Sequence, residues 1–127
     1  MRFIEDIIAM GRQVAKAELP KVRVVVKRKG MTCWIPRKKR IDWNPENGLT
    51  GLFHEMAHAQ LGHKIEAHRL DAPNKQELSA WHRAETIAHK WGICFDYHFA
   101  EYCLMTHTPS VVILTDAFRV EWRYVDR

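Results

Sequence analysis

The chain has 127 residues, enough for one hydrophobic core and too few for two. Its 46% apolar and 28% charged content and net charge of +5 are those of a soluble globule, and no run approaches the length of a membrane span. Three cysteines without a C-x-x-C pair exclude a disulfide framework and a cysteine-based zinc site; with Glu5 and Asp6 where a signal peptide would be apolar, a reducing cytoplasm is expected.

Phe3, Ile4, Ile7, Ile8, Val14 and Ala15 recur at helical spacing, which predicts an amphipathic helix over residues 2–18, ended by Leu19-Pro20. Val22-Arg23-Val24-Val25-Val26 is largely β-branched and reads as a strand. Lys27-Arg28-Lys29-Gly30 turns it, and Met31-Thr32-Cys33-Trp34-Ile35 reads as the returning strand. After the break at Pro36-Arg37-Lys38-Lys39, Arg40-Ile41-Asp42-Trp43 adds a third strand. Ile41-Asp42-Trp43 is the best candidate for a free edge to which an extended peptide would add as a strand. An ordinary hairpin strand without a substrate role fits those residues equally well.

Pro45-Glu46-Asn47 supplies the next turn, and Asn47 and Thr50 are both suited to cap the helix that follows. Leu49, Leu52, Phe53 and Met56 give that helix an apolar stripe, widened by Ala57 and Leu61, and Gly62 stops it. Gly51 is costly inside a helix unless something packs closely against it. The same helix carries His54-Glu55-Met56-Ala57-His58, an H-E-x-x-H pentapeptide. Two histidines four apart share a face and can reach one tetrahedral Zn²⁺, with Glu55 at one remove beside a metal-bound water. Zinc acidifies that water and polarises a carbonyl; Glu55 takes the proton and returns it to the leaving amine.

A catalytic zinc of this kind needs a third protein ligand. The downstream candidates are His63, His68, Glu77, His82, Glu85 and His89. Pro73-Asn74 closes the loop before a second helix, which begins at Glu77, runs to Trp91 and ends at Gly92. A carboxylate from its first turns would complete a set of two His and one Glu, and Glu85, two turns on and nearly on the same face, competes with Glu77. A donor for the oxyanion is also required opposite Glu55, and His63, His82, His89 and Tyr97 are candidates. Further on, Phe95 to Met105 is predicted helical. Thr108-Pro109-Ser110 signals a last helix through Phe118, although Val111 to Leu114 also reads as a strand. Val111 to Phe118 and Glu121 to Tyr124 would then form a short pair of helix-turn-helix type.

The run His54-Glu55-Met56-Ala57-His58-Ala59-Gln60-Leu61-Gly62-His63 resembles the H-E-x-x-H-x-x-L-G-H stretch of the ImmA/IrrE metallopeptidases. Glu77-x-x-Ala80-x-x-x-Ala84 is similar to that family's E-x-x-A-N-x-F-A helix, with Trp81 and Arg83 in place of its Asn and Phe. Phe99 to Thr106 is similar to its F-A-x-x-L-L-M-P stretch but lies a helix later and lacks the Pro. Asp116 to Val125 is similar to its closing turn. The resemblance implies a zinc endopeptidase with His54, His58 and Glu77 as ligands and Glu55 as base. It favours Glu77 over Glu85 and, since the Leu-Gly-His ending recurs in the family, places His63 first among the oxyanion donors. It further implies a regulatory protein as substrate, commonly a DNA-binding repressor of a phage or mobile element. The expected fold is a single α+β zincin-like domain over 1–127: an N-terminal helix, a small antiparallel sheet, the metal helix and its ligand helix, and a helical C-terminus.

Lys21, Arg23, Lys27, Arg28, Lys29, Arg37, Lys38, Lys39 and Arg40 concentrate positive charge around the expected sheet. Such a patch would suit nucleic-acid phosphates or an acidic protein. A solvated face with turn lysines guarding the strand edges is the preferred reading. Two other functions fit the same residues: a SprT-like DNA-associated protease, which takes a third His, and a non-catalytic zinc- or DNA-binding regulator.

Overall fold

Helix α1 (Arg2–Glu18) buries Val14 and Ala15, and Ile7 and Ile8 pack against the same core. Residues 2–63, 74–107, 111–115 and 119–124 are described by the computed structural model. Gly11 is where α1 meets the sheet: a Cβ there would lie 2.3 Å from Cη2 of Trp43 and 2.9 Å from Cδ2 of Leu52. Only a residue without a side chain allows that approach.

Strands β1 (Arg23–Val26), β2 (Cys33–Ile35) and β3 (Arg40–Trp43) form one sheet in the order β1-β3-β2. β1 runs parallel to β3, with Val24 opposite Ile41, and β2 runs antiparallel to it, with Trp34 opposite Ile41. The sheet is therefore mixed rather than antiparallel, and β1 and β2 do not pair as a hairpin. Ile41-Asp42-Trp43 lies at its centre and not at an edge. Burial explains the order, because Ile41 and Trp43 are fully buried and the most buried strand takes the central place. Side chains that cross the loop reinforce it. Asn44 Nδ2 donates to the Gly30 carbonyl (2.9 Å), the Asn44 N–H to Thr32 Oγ1 (3.1 Å), and the Thr32 hydroxyl to Asn47 Oδ1 (2.8 Å). These bonds hold residues 30–32 beside the turn into the next helix and carry β2 to the far side of β3. Lys21, Arg23, Lys27, Arg28, Lys29, Arg37, Lys38 and Lys39 are all exposed, and Arg40 pairs with Asp42 at 2.8 Å.

Helix α2 (Gly48–Gln60) is buried from Thr50 to His58. Asn47 stands at the N-cap position, one of the two expected, but neither its side chain nor that of Thr50 makes a capping bond. The Asn47 side chain accepts from Thr32, and the Thr50 hydroxyl accepts the Asp96 N–H at 2.9 Å. Gly51 meets close packing: a Cβ there would stand 3.1 Å from Cβ of Asn47 and 3.6 Å from the Phe99 ring. Helix α3 (Asn74–Lys90) makes the most extensive helix–helix contact, against α2. Ala80, Ala84 and Ala88, spaced four apart and fully buried, keep its packing face low enough for a close crossing. Helix α4 (Tyr97–His107) follows.

The described C-terminal residues form a β-hairpin in place of the expected helices. β4 (Val111–Thr115) pairs antiparallel with β5 (Val120–Tyr124), and Ile113 lies opposite Trp122. The β-branched run Val111-Val112-Ile113 and the aromatic Trp122 and Tyr124 favour pleated pairing over a helix, so the helix-turn-helix reading falls away. Thr108-Pro109-Ser110, Asp116-Ala117-Phe118 and Val125 lie outside the described residues. No described helix is long and apolar enough to cross a membrane.

Glu18 ties three helix ends together. Its carboxylate accepts from Lys90 Nζ (2.8 Å) and the Trp91 indole (3.4 Å), while Gln60 Nε2 donates to its backbone carbonyl (3.3 Å). The Lys90 hydrogen bond, aided by those from Trp91 and Gln60, holds its carboxyl below the ordinary value against the opposing effect of burial.

Gly11→Ala should lower stability by about 1–3 kcal/mol in urea denaturation, because Trp43 cannot yield; an unchanged midpoint would show that α1 can shift. Glu18→Gln should cost about 1 kcal/mol at pH 7, a low figure because Lys90 is open to water. A depressed carboxyl stabilises the fold above its unfolded pKa, and the benefit disappears as pH falls through the folded one. The stability curves of parent and variant should therefore converge in acid; a constant gap would refute the carboxylate's role.

Candidate metal centre

Where α2 crosses α3, His54 and His58 meet Glu77, and all three are buried. His54 Nε2 lies 3.2 Å from His58 Nε2 and 3.1 Å from Glu77 Oε2, and His58 Nε2 lies 3.4 Å from Glu77 Oε1. Tetrahedral donors about 2.0–2.1 Å from a common centre stand roughly 3.3 Å from one another, so the three edges fit one small cation. Both Glu77 oxygens are buried without a hydrogen bond of good geometry, which is the state of a carboxylate that faces an ion. The cluster can hold a metal ion. Among the described residues, no other group of His, Cys, Asp and Glu brings three donors so close.

Glu55 stands beside the cluster and outside it. The Trp34 backbone N–H donates to its Oε1 at 2.7 Å, and its Oε2 is 3.8 Å from His54 Nε2. Burial pushes the Glu55 carboxyl up to about 8 against the Trp34 bond, with the charge of Glu77 adding to the rise. For Glu77, burial acts upward too, but the two imidazoles beside it outweigh burial and hold it well below the carboxylate range. Two carboxylates in one cavity are thus driven apart in proton affinity.

His63 lies behind His58. The chain leaves α2 through Gly62 at φ +72°, with the Gly62 N–H on the Ala59 carbonyl (3.2 Å) and the His63 N–H on the His58 carbonyl (2.9 Å). This glycine-ended stop brings the residue after the glycine back over the last turn. The contact it creates is an imidazole pair, with His63 Nδ1 2.8 Å from His58 Nδ1. The Trp34 indole fixes His63 further by donating to its carbonyl at 3.1 Å. His63 therefore sits on the Nδ1 side of His58, opposite the Nε2 that joins the cluster. Burial, aided by His58, lowers the His63 pKa and so favours its neutral ring. If His58 donates from Nδ1, its Nε2 lone pair is left for a metal.

The other candidates lie elsewhere. The Tyr97 hydroxyl donates to Glu85 and stands 3.3 Å from His89 Nε2, so these three form a separate group. His82 is exposed and packs on Trp122, with ring centroids 4.5 Å apart. His68 lies outside the described residues. Of the expected third ligands, the described structure brings Glu77 alone to His54 and His58.

Sequence reasoning missed two residues. Trp81 stacks on His54 at a centroid distance of 3.8 Å and an interplanar angle of 18°. Its place at the Asn of the resembled motif was the available signal. Trp34 acts on Glu55 through its main chain, which leaves no trace in residue type. The cluster forms the floor of a cleft of about 260 Å³, walled on one side by residues 30–32 and on the other by Phe99, Tyr102 and Cys103 of α4.

Compared with protein-family models, curated proteins and solved structures, the chain has no significant match.

His63→Ala should weaken metal binding by about 10–100-fold in chelator competition, with secondary structure retained by circular dichroism. His54→Ala and His58→Ala should lose the metal altogether. An affinity unchanged in His63→Ala would mean that His58 is oriented by other contacts.

Proposed function

We propose that the protein is a zinc-dependent endopeptidase of ImmA/IrrE type. The observation that carries this reading is a set of three mutually spaced donors with an unligated carboxylate, Glu55, beside them in a cleft. Two imidazoles and one carboxylate are a donor set that suits zinc in a catalytic site with an open position. Zinc in this site would supply a Lewis acid for a peptide carbonyl and lower the pKa of water. Glu55 then acts as the base: its raised proton affinity suits it to take a proton from water and deliver it to the amine that leaves. The Trp34 N–H holds one Glu55 oxygen and so aims the other towards the cluster. His63 and Trp81 keep the two imidazoles in place.

Support for the ImmA/IrrE type is the position of Glu77, the glutamate of the resembled helix motif, between the two histidines. A SprT-like protein would place a histidine there, and the described residues offer none. By the same resemblance the substrate is a regulatory protein, such as a DNA-binding repressor.

Glu55→Gln tests the chemistry. The variant should keep its zinc by metal analysis and lose turnover of a cleavable protein by a factor of about 10² to 10⁴. Parent-like cleavage by the variant would remove Glu55 from the mechanism. Zinc in both proteins with hydrolysis by neither would favour the non-catalytic regulator.

A further inference from the structure

The cleft has two chemically distinct ends. At one end stand His54, Glu55 and Glu77; among the described residues, the rest of the lining carries no charged side chain. The polar groups there are already engaged or neutral. Thr32 and Asn47 bond each other at 2.8 Å, and burial pushes the Cys103 thiol up to about 12. At about 260 Å³ the cavity falls just below the ~300–1,000 Å³ usual for small-molecule sites and has room for one large side chain.

The lining of that second end is apolar and partly open. Gly51 forms its base, where the lack of a side chain leaves the Phe99 ring uncovered. Met31 on one wall is 65% exposed and Tyr102 on the other is 73% exposed, so two large apolar groups flank the mouth without covering each other. Met105, three residues beyond Tyr102 on α4, is also exposed and extends the same helical face. Large apolar groups gathered at the rim of a cleft mark a place where something apolar docks. The main chain nearby suits a peptide as the carrier. β2 is an edge strand, and Met31-Thr32, just before it, line the cleft where an extended chain could lie beside them.

We infer that the cleft selects a peptide with a large apolar side chain, aromatic or long aliphatic, next to the bond that faces His54, Glu55 and Glu77. This inference rests on the endopeptidase reading for the identity of that bond. A lysine or aspartate seated there would lose its water and find no partner, while an alanine would leave the Phe99 and Tyr102 surfaces wet.

Positional-scanning peptide mixtures test it with two readouts. With the zinc-loaded protein, kcat/KM for Phe or Leu at one position should exceed that for Ala by about 10-fold or more, with Lys and Asp lower still. With zinc-loaded Glu55→Gln, binding of the same peptides by fluorescence anisotropy should follow the same ranking. Tyr102→Ala, at an exposed rim position that the fold does not need, should flatten the preference in both readouts. If no peptide is cleaved yet binding ranks Phe and Leu first, the selective pocket stands and the hydrolytic reading fails. Cleavage without apolar preference, equal binding of all peptides, or no binding at millimolar concentration would overturn the inference.

Discussion

A carboxylate and two imidazoles buried together form a costly arrangement, and the rest of this structure is arranged around it. An ion removed from water loses several kcal/mol of hydration, recovered only through well-placed partners. Glu77 is 1% exposed and finds an imidazole nitrogen beside each oxygen, at 3.1 and 3.4 Å. The alanines of α3 make that meeting possible. Were Ala80, Ala84 and Ala88 larger, α3 would stand further from α2 and the carboxylate would no longer span both rings.

Trp34 links the sheet to this cluster. Its backbone N–H holds Glu55, its indole holds the His63 carbonyl, and its side chain is itself nearly buried. A shift of β2 relative to α2 would therefore disturb Glu55 and the support of His58 together. The same coupling explains why the sheet order matters. As the central strand, β3 fixes β2 on its free flank, and β2 in that place brings Trp34 to α2.

Legibility from sequence follows the range of the interactions. His54, Glu55 and His58 could be read because they share one helix and helical geometry alone sets their relation. Glu77 is a contact across two helices, and residue spacing left it level with Glu85; the family resemblance made the choice, and the Tyr97 hydroxyl on Glu85 shows where the competing carboxylate goes. The sheet was misread because its order depends on Asn44 and Thr32 side chains bonding across a loop, which no periodicity records. At the C-terminus the run Val111 to Leu114 fitted two periods, and pairing with Val120 to Tyr124 decided for the strand. His63 was singled out as an oxyanion donor, and its ring lies against His58 Nδ1. Gly62 is legible as a helix stop, but the direction in which the following ring returns depends on the backbone bonds that close the helix.

Each polar group of the site has its own positioning device. Trp81 stacks on His54, the His63 ring meets His58 Nδ1, the first turn of α3 presents Glu77, and the Trp34 N–H fixes Glu55. Groups held in this way can keep their geometry before any ligand arrives, which is the condition for electrostatic preorganisation. The Trp81 stack contributes in a second way. By covering one face of His54 it keeps water from that side of the cluster and strengthens every charge interaction within it. Two like groups then diverge: Glu77, between imidazoles, stays ionised, while Glu55, with one main-chain donor and an anionic neighbour, gains affinity for a proton. A carboxylate set between two imidazoles and another poised to take up a proton are the two different roles that the proposed hydrolysis would require.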